Sequence, residues 1–547
     1  MAIIRLSAST TTSAKPARYS LQVNSATDWK APMNEQFDFS DLFVFDLANN
    51  HQGNVQHALN IIGQIGEVVR RQTIRGVFKF QFRQLDSFVH PAHQKQSDNK
   101  HIPRFLATRL GRPEFQTLLD AVRAEGMLAM CTPFDEESVD VITDMDFDLI
   151  KVASCSAKDW PLLEKIAQAN IPVIFSTGGL QLSNIDDLVS FFDHRGSDFA
   201  IMHCVSIYPI PNDSFNLNQI DVLRNRYRNR TIGWSTHENP EDTVPVQIAT
   251  GKGARMFERH VGIATEDIKL NTYSATPEQA DRWISAWKQA VELCGSAERS
   301  INRIEQDSLD SLRRGVYARM PIKKGQPITR EQVYFAMPYM EDQLDSGNWR
   351  AGIVAGCDAR TDAPILLSQT MIPHNPDYQV LKEAVHEVKA LLNEARIALN
   401  SEFEVEYSHH YGISRFREYG AVIINCINRE YCKKILVQLP GQKHPMHFHP
   451  LKEETFQVLH GDLTVNVDGH TRALAPGDVC LVMPGVWHSF WTGDGCVVEE
   501  VSTTHFNSDS VYKDAKINKL QRQERKTVVD HWGRFQLPVR IESVAGE

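Results

Sequence analysis

Residues 149–178 read LIKVASCSAKDWPLLEKIAQANIPVIFSTG. A short apolar run stands at each end of this stretch, and the residues between the two runs are enough for one helix. That length is typical of a strand–helix–strand unit, and strands that are apolar almost throughout indicate a parallel sheet buried on both faces. The stretch therefore predicts a parallel α/β fold.

The same pattern recurs along the first half of the chain. Apolar, β-rich runs follow one another at spacings of mostly about 20 to 35 residues, the size of a strand–helix unit. The runs are FVFDLA (43–48), VFKFQF (77–82), LAMCTPF (128–134), LIKVAS (149–154), VIFSTG (173–178), FAIMHC (199–204), TIGWST (231–236) and RMFERH (255–260). Eight such units predict a (β/α)8 TIM barrel.

The pattern changes after TPEQADRWISAWKQAVELCG (276–295), which we interpret as the closing helix of the barrel. Shorter strands and a glycine-containing turn follow, then a helical stretch, then alternating apolar positions with repeated turns. The α/β barrel should therefore be followed by a small β-rich module and a C-terminal β-barrel. We predict a flexible N-terminal tail (1–35), the TIM barrel (36–296), the β-rich module (297–365), a connecting helix (366–405), the C-terminal β-barrel (406–512) and a charged C-terminal tail (513–547).

Composition limits the function classes. The chain of 547 residues is 42% hydrophobic and 23% charged, as is ordinary for soluble domains, and its formal net charge is -10. An acidic balance disfavours binding to nucleic acid or to anionic membranes. The N-terminal residues lack the apolar core of a signal peptide, and no apolar run is long enough to cross a membrane. Nine scattered cysteines without a CxxC pair indicate a reducing, cytoplasmic location.

Polar side chains accumulate where the predicted barrel strands end, which is the edge that carries the active site in this fold. Lysine, serine and threonine at these positions suit a phosphate, because an ammonium and several hydroxyls can converge on it. His237 and His260 are one strand–helix unit apart, so they should end adjacent strands and can share a metal. The long interval 83–105 should form an active-site loop.

These strand ends carry motifs that resemble the sialic acid synthase family, whose members condense phosphoenolpyruvate with an aldose to make nonulosonic acids. The matching pieces are DLANNHQG (46–53), KFQ (79–81), CTPFD (131–135), KVAS (151–154), STGG (176–179), HCVSIYP (203–209), GWSTH (233–237) and ERH (258–260). RRGVYARMPIKKGQPIT (313–329) resembles the antifreeze-like SAF domain that follows the barrel in that family. The resemblance covers roughly residues 40 to 345.

The resemblance implies a role for each matching residue. His237 and His260 would hold a divalent metal, most often manganese, and the product would be a 2-keto-3-deoxy sugar acid. A homodimer is implied, with the SAF domain capping the partner's barrel. The phosphoenolpyruvate-binding residues would be Thr132, Lys151, Ser154, Ser176, Ser206 and Ser235, and the residues at the sugar or the reacting centre would be Asp46, Lys79, Gln81 and Tyr208.

The sequence departs from the family pattern at three places. Ser156 stands where the family has a glutamate, and a hydroxyl cannot serve as a carboxylate base near neutral pH. Asp46 replaces a first-strand glutamate, and Met337 stands in the region where the SAF domain usually offers an arginine. Either the acceptor sugar differs or activity is reduced. Asp159, Glu238 or Asp46 are candidates for the missing carboxylate.

The C-terminal region carries a second candidate site. GQKHPMHFHPLKEETFQVLHG (441–461) resembles the first cupin motif, and PGDVCLVMPGVWHSF (476–490) resembles the second, apart from Met483 in place of a proline. His447 and His449 are two apart on a strand and point to one face. With Glu454 and His488 they form a ligand set suited to Zn, Mn, Fe or Ni. His444 and His460 are poorer candidates, at the surface or outside the ligand shell.

Three functions remain open on the sequence alone. The first is a synthase that condenses phosphoenolpyruvate with an aldose and carries a cupin. The second is a cupin sugar isomerase whose barrel only binds ligand, because EEVSTTHFNSDSVYKD (499–514) resembles the end of sugar-isomerase cupins. The third is a sugar sensor without catalysis. The phosphate-type residues and the two barrel histidines favour the synthase, and Ser156 is the main observation against it.

Overall fold

The structure is a computed structural model that describes residues 36–297, 300–350, 352–371, 377–399, 401, 403–530 and 532. The tail predicted over 1–35 and the last residues of the predicted C-terminal tail, 533–547, lie outside the described residues. The chain forms two compact units that divide between residues 299 and 300. No helix in the described ranges is both long enough and apolar enough to cross a membrane.

The first unit is a closed barrel of eight parallel strands in sequence order, as predicted. Each predicted apolar run overlaps one strand, and nearly every strand residue is buried. The strands are β1 (Leu42–Asp46), β2 (Arg75–Phe82), β3 (Leu128–Pro133), β4 (Leu149–Val152), β5 (Val173–Ser176), β6 (Phe199–Cys204), β7 (Ile232–Thr236) and β8 (Met256–His260).

Helices surround this barrel. They are α1 (Val55–Gln72), α2 (Leu85–Phe88), α3 (Ile102–Ala107), α4 (Arg112–Ala124), α5 (Glu136–Asp144), α6 (Trp160–Gln168), α7 (Leu182–His194), α8 (Asn218–Arg226), α9 (Val244–Gly251) and α10 (Pro277–Cys294). The closing helix α10 begins with a capping box at Thr276 and buries Trp283 against Phe43 and Phe257. This packing holds β1 and β8 together where the barrel closes.

The register between neighbouring strands decides which side chains meet at the carboxyl-terminal edge. Asp46 is level with Lys79 on β2 and with His260 on β8. These three strands therefore bring a carboxylate, an ammonium and an imidazole side by side. The interval predicted as an active-site loop contains the short helix α2 and the first residues of α3, and α4 follows it.

The second unit begins with α11 (Arg303–Leu312) and a small β-rich module. Its strands form two antiparallel pairs around a core that includes Val316, Ile322 and Leu344. The strands are β9 (Gly315–Ala318), β10 (Val333–Ala336), β11 (Val354–Ala355) and β12 (Thr370–Met371). The β-rich character agrees with the sequence pattern, and its assignment as a SAF domain stays a prediction.

The C-terminal part of the second unit is built from two antiparallel sheets. The strands are β13 (Glu404–Ser408), β14 (Ala421–Asn428), β15 (Tyr431–Gln438), β16 (Lys443–Phe448), β17 (Glu454–Gly461), β18 (Leu463–Val467), β19 (His470–Leu474), β20 (Val479–Val482), β21 (His488–Trp491), β22 (Cys496–Thr503), β23 (Val511–Tyr512) and β24 (Lys526–Asp530). The first sheet has seven strands in the order β20-β17-β22-β15-β14-β13-β24, and the second has five in the order β19-β18-β21-β16-β23.

The edges of this C-terminal β domain lie beyond the predicted limits. Helix α12 (Asp377–Glu394) was predicted to be a connector, but its apolar side, including Leu381 and Val388, packs into the same core as Val405 and Tyr407. The predicted tail contains α13 (Ala515–Asn518), α14 (Arg522–Arg525) and then β24, which pairs with β13. The sheet therefore extends beyond the boundary predicted at residue 512, because strand pairing across more than a hundred residues leaves no local signal.

Candidate active site and metal centre

A cavity of about 800 Å³ opens at the carboxyl-terminal ends of the barrel strands. Every barrel residue to which the family resemblance assigns a substrate, metal or catalytic role lines it, so the structure brings together side chains from strands far apart in sequence. These residues are Asp46, Lys79, Gln81, Thr132, Lys151, Ser154, Ser176, Ser206, Tyr208, Ser235, His237 and His260. The loop over 83–105 also lines this cavity.

Two buried lysines and two buried carboxylates form the floor of the cavity. Lys79 Nζ lies 2.6 Å from Glu258 Oε1 and 3.1 Å from Asp46 Oδ2. Lys151 Nζ lies 3.6 Å from the other Glu258 oxygen and donates to Ser176 Oγ. The four formal charges cancel. Because the Lys151–Glu258 contact is long, the Lys151 ammonium retains hydrogen-bonding capacity for a ligand.

Burial and charge act in opposite directions on these groups. Burial raises the pKa of Glu258, but the ammonium groups of Lys151 and Lys79 outweigh it and hold the pKa at about 2. Burial would lower the pKa of Lys79, whereas Asp46 and Glu258 raise it above its ordinary value. Burial lowers the pKa of Lys151, and Glu258 offsets only part of that change. Of the two lysines, Lys151 is therefore the less compensated.

Hydroxyls and backbone amides stand near Lys151. Ser154 Oγ accepts a hydrogen bond from the Gly178 amide at 3.0 Å, and a Cβ on Gly178 would lie 2.4 Å from Ser206 Oγ. This close approach needs glycine. Thr132 Oγ1 is buried without a hydrogen-bond partner. A buried hydroxyl that faces a cavity without a partner is expected where a polar ligand binds.

The two barrel histidines meet as predicted, with ring centroids 5.3 Å apart. His237 Nδ1 lies 3.1 Å from the Val205 carbonyl, which can only accept, so this nitrogen carries the proton and Nε2 has a free lone pair. His260 Nδ1 is buried 3.3 Å from Asp46 Oδ2. Tyr208 packs on His237 with centroids 4.1 Å apart.

The candidates for the missing carboxylate separate clearly. Asp159 caps α6, accepting from the Leu162 amide, and Glu238 pairs with Arg259, so neither lines the cavity. Asp46 does line it, and so does Glu258, which the sequence reasoning missed. The signal was present, because Glu258 is two residues before His260 on the same strand and shares its face. Ser156 is buried outside the cavity lining.

The second site lies inside the C-terminal β domain. His447, His449, Glu454 and His488 are all buried, and one ligand atom of each lies within 4.8 Å of the others. In the described ranges this is the only such group of three or more. Each of the three histidines places Nδ1 against a backbone carbonyl oxygen. The distances are 3.0 Å from His447 to Pro445, 2.7 Å from His449 to Asp509 and 3.1 Å from His488 to Val486. All three Nε2 atoms therefore present lone pairs inward.

The donor set fits a cation. His488 Nε2 and Glu454 Oε2 are 3.1 Å apart, and both are buried without a hydrogen-bond partner. Two acceptors at this distance repel each other unless a positive charge lies between them. Three imidazoles and one carboxylate suit a transition metal. The cluster can therefore hold a metal ion.

The charged residues around this cluster form ion pairs with one another. Lys452 contacts Glu454 and lies 3.1 Å from Glu500, and Lys434 lies 3.5 Å from Glu500. His444 was predicted at the surface or outside the ligand shell; it is buried, and its Nε2 lies 3.0 Å from His410 Nε2. The cavity here is only about 40 Å³, room for roughly three waters.

The comparisons with known proteins match both domains. Residues 75–299 match the model of the NeuB family, and residues 435–499 match that of the cupin domain. The crystal structure of a spore coat polysaccharide biosynthesis protein E from Chromobacterium violaceum is 43% identical, with a TM-score of 0.59, and the match covers 61% of this chain and 100% of that one. The chain belongs to the NeuB family.

Curated relatives of this NeuB-family chain carry related names. The spore coat polysaccharide biosynthesis protein SpsE of Bacillus subtilis is 26% identical over 59% of this chain and 91% of its own length. The N-acetylneuraminate-9-phosphate synthase of Drosophila melanogaster is 38% identical over 40% of this chain and 59% of its own. The expected family and TIM-barrel fold are therefore confirmed, and a cupin domain follows the NeuB barrel.

Proposed function

We propose that this protein is a nonulosonic acid synthase that condenses phosphoenolpyruvate with an aldose. The enol carbon of phosphoenolpyruvate would attack the aldehyde carbon and form a C–C bond. The aldehyde oxygen would take up a proton and become a hydroxyl. Water would add to the resulting oxocarbenium carbon and lose a proton, and the C–O bond to phosphate would then break. The products are a 2-keto-3-deoxy sugar acid and inorganic phosphate, and water supplies the keto oxygen.

The observation that carries this proposal is the buried Lys151 ammonium among hydroxyls in the NeuB barrel cavity. Lys151, with Ser154, Ser176 and the unpartnered Thr132 hydroxyl, offers a phosphate or carboxylate both charge and hydrogen bonds. Ser206 and Ser235 complete the same wall. Fixed donors of this kind stabilise negative charge as it moves during the reaction, because they need no reorganisation.

The remaining residues would act on the sugar and on the reacting carbon. Gln81 Nε2 donates to Asp46 at 3.2 Å, which fixes the amide at the mouth of β2, and Tyr208 packs beside His237. Lys79 is fixed between two carboxylates, so we assign it to charge stabilisation and not to proton transfer. Asp46 and Glu258 are the carboxylates in the cavity that can orient water.

A divalent ion, Mn²⁺ most simply, would be held by His237 and His260 beside Asp46. The free Nε2 lone pair of His237 and the imidazole of His260, whose Nδ1 lies 3.3 Å from Asp46 Oδ2, fit such an ion. Since the described barrel residues offer few protein ligands, substrate oxygens and water would complete the shell. When bound, the ion would supply Lewis-acid polarisation of the sugar carbonyl.

The cupin would hold a separate Zn, Mn, Fe or Ni ion. Its small cavity and paired charges favour a metal-stabilised module over a sugar isomerase, because a whole sugar does not fit roughly 40 Å³. Names of the relatives further suggest an N-acylated hexosamine as acceptor. We also propose a homodimer, which light scattering would measure.

Phosphate release tests this function. The chain should release phosphate from phosphoenolpyruvate with Mn²⁺ when an N-acylated hexosamine is present, and His237→Ala should abolish the release. Unchanged phosphate release by that variant would exclude the proposed metal site in the barrel. No release with any aldose, together with ketose–aldose interconversion, would instead favour the cupin isomerase. Thermal stabilisation by sugars without turnover would favour a sensor.

A further inference from the structure

Three basic side chains of the NeuB barrel cavity stand apart from the lysine–carboxylate floor. They are Arg83, Lys100 and Arg104, all from the loop after β2. Within the described residues none of them forms an ion pair. The acidic residues of this loop do not balance them, because Asp86 pairs with Arg109 outside the cavity and Asp98 does not line it.

Arg83 is the most constrained of the three. Its guanidinium carbon lies 3.6 Å from the ring centroid of Phe134 and 4.1 Å from that of Phe105, so two aromatic rings hold the group. One terminal nitrogen donates to Gln81 Oε1 at 3.2 Å, whereas Nε is buried without a hydrogen-bond partner. A fixed, partly desolvated guanidinium with unused donors is suited to a planar or tetrahedral oxyanion.

The position of Arg83 assigns it to the sugar and not to phosphoenolpyruvate. Most of the residues proposed for phosphoenolpyruvate come from the ends of β4 to β7, around Lys151. Arg83 follows β2, two residues beyond Gln81, and reaches Asp46 through that amide. The two carboxylates of the cavity are already occupied by Lys79 and Lys151. The loop therefore adds unpaired positive charge to the part of the cavity that we assign to the acceptor sugar.

From this geometry we propose that the acceptor is an aldose with an anionic substituent, a phosphate or a carboxylate, and that Arg83 binds that group. Lys100 and Arg104 at the exposed rim add to the attraction. The inference rests on the proposed condensation, since it names the class of its second substrate. It makes Arg83 a specificity-determining residue.

Calorimetric titration with sugar alcohols tests the inference apart from turnover, because a reduced sugar has no aldehyde and cannot condense. The protein, saturated with phosphoenolpyruvate, is titrated with N-acetylmannosaminitol, its 6-phosphate and its 6-carboxylate. At least one anionic form should bind about tenfold or more tightly than the neutral one. Arg83→Met should weaken that form about 10- to 100-fold and change the neutral form less than about twofold.

Two further variants make the result specific. Arg83→Lys keeps the charge without the guanidinium plane and should lose only part of the affinity. Arg109→Met removes an arginine from the same loop that pairs with Asp86 outside the cavity, and it should change nothing. If no anionic form binds better than the neutral one, or if Arg83→Met weakens phosphoenolpyruvate instead, the inference is wrong. The phosphate-release assay reports separately on the condensation.

Discussion

The NeuB barrel cavity and the cupin cavity use similar side chains in different ways. The barrel cavity measures about 800 Å³ and keeps Arg83, Lys100 and Arg104 without carboxylate partners in the described structure. The cupin cavity measures about 40 Å³, and its lysines Lys434 and Lys452 pair with Glu500. A large cavity with uncompensated charge suits a charged substrate, whereas a small cavity with paired charge suits an ion.

The largest loss of activity that we expect comes from a change in the barrel cavity. Lys151→Met removes the ammonium that faces the proposed phosphate, and it should lower kcat/KM for phosphoenolpyruvate by about 1000-fold or more, since fixed charge stabilises the reacting group. Initial rates of phosphate release measure it. Lys158→Met, an exposed lysine a few residues later, is the matched control and should leave the rate unchanged. Full activity of the Lys151 variant would exclude our assignment of the phosphate site.

A second prediction concerns the stability of the cupin domain. Leu381 on α12 is 2% exposed and packs in the cupin core. Leu381→Ala should destabilise the cupin part by about 2–5 kcal/mol, because it leaves a cavity behind. Unfolding in denaturant measures the change in the free energy of unfolding, and differential scanning calorimetry gives the matching shift in Tm. The condensation activity should persist at low temperature. Lys382→Ala on the exposed side of the same helix is the control. Equal effects of the two variants would show that α12 is only a connector.

The smallest expected effect concerns the link between the two sites. His488→Ala should lower the metal content of the purified protein by about one ion per chain, because a structural centre of this type uses all its ligands. Elemental analysis measures it, with His460→Ala as a control on a histidine outside the cluster. Condensation should change less than about twofold. A large loss of condensation would mean that the cupin ion serves the barrel reaction.

The two regions also differ in how far the sequence predicts them. The candidate cupin ligands His447, His449 and Glu454 are close together along the chain, so their spacing alone indicates a cluster. The barrel residues are spread from Asp46 to His260, yet continuously apolar strands mark where each strand ends. Most of the polar residues that line the barrel cavity, with Glu258 as an exception, could therefore be predicted by type and place.

What the sequence did not reveal depends on contacts between distant segments. Glu258 follows an ordinary strand pattern, and its role as a partner of two lysines depends on β8 closing onto β1. Arg83 is one charge among several in a long loop until Phe105 and Phe134 enclose it. The pairing of Glu404 with Asp530 joins the last described strand to the cupin sheet without any local signal.

The most direct test follows an isotope through the reaction. Phosphoenolpyruvate labelled with ¹⁸O at the bridging oxygen is incubated with the protein, Mn²⁺ and the acceptor aldose. The masses of both products are then measured by mass spectrometry. The account predicts a keto acid heavier than the aldose by one pyruvate, with the label in the released phosphate. Absence of that acid with every aldose, or label retained at its keto carbon, would contradict condensation with C–O cleavage in the NeuB barrel.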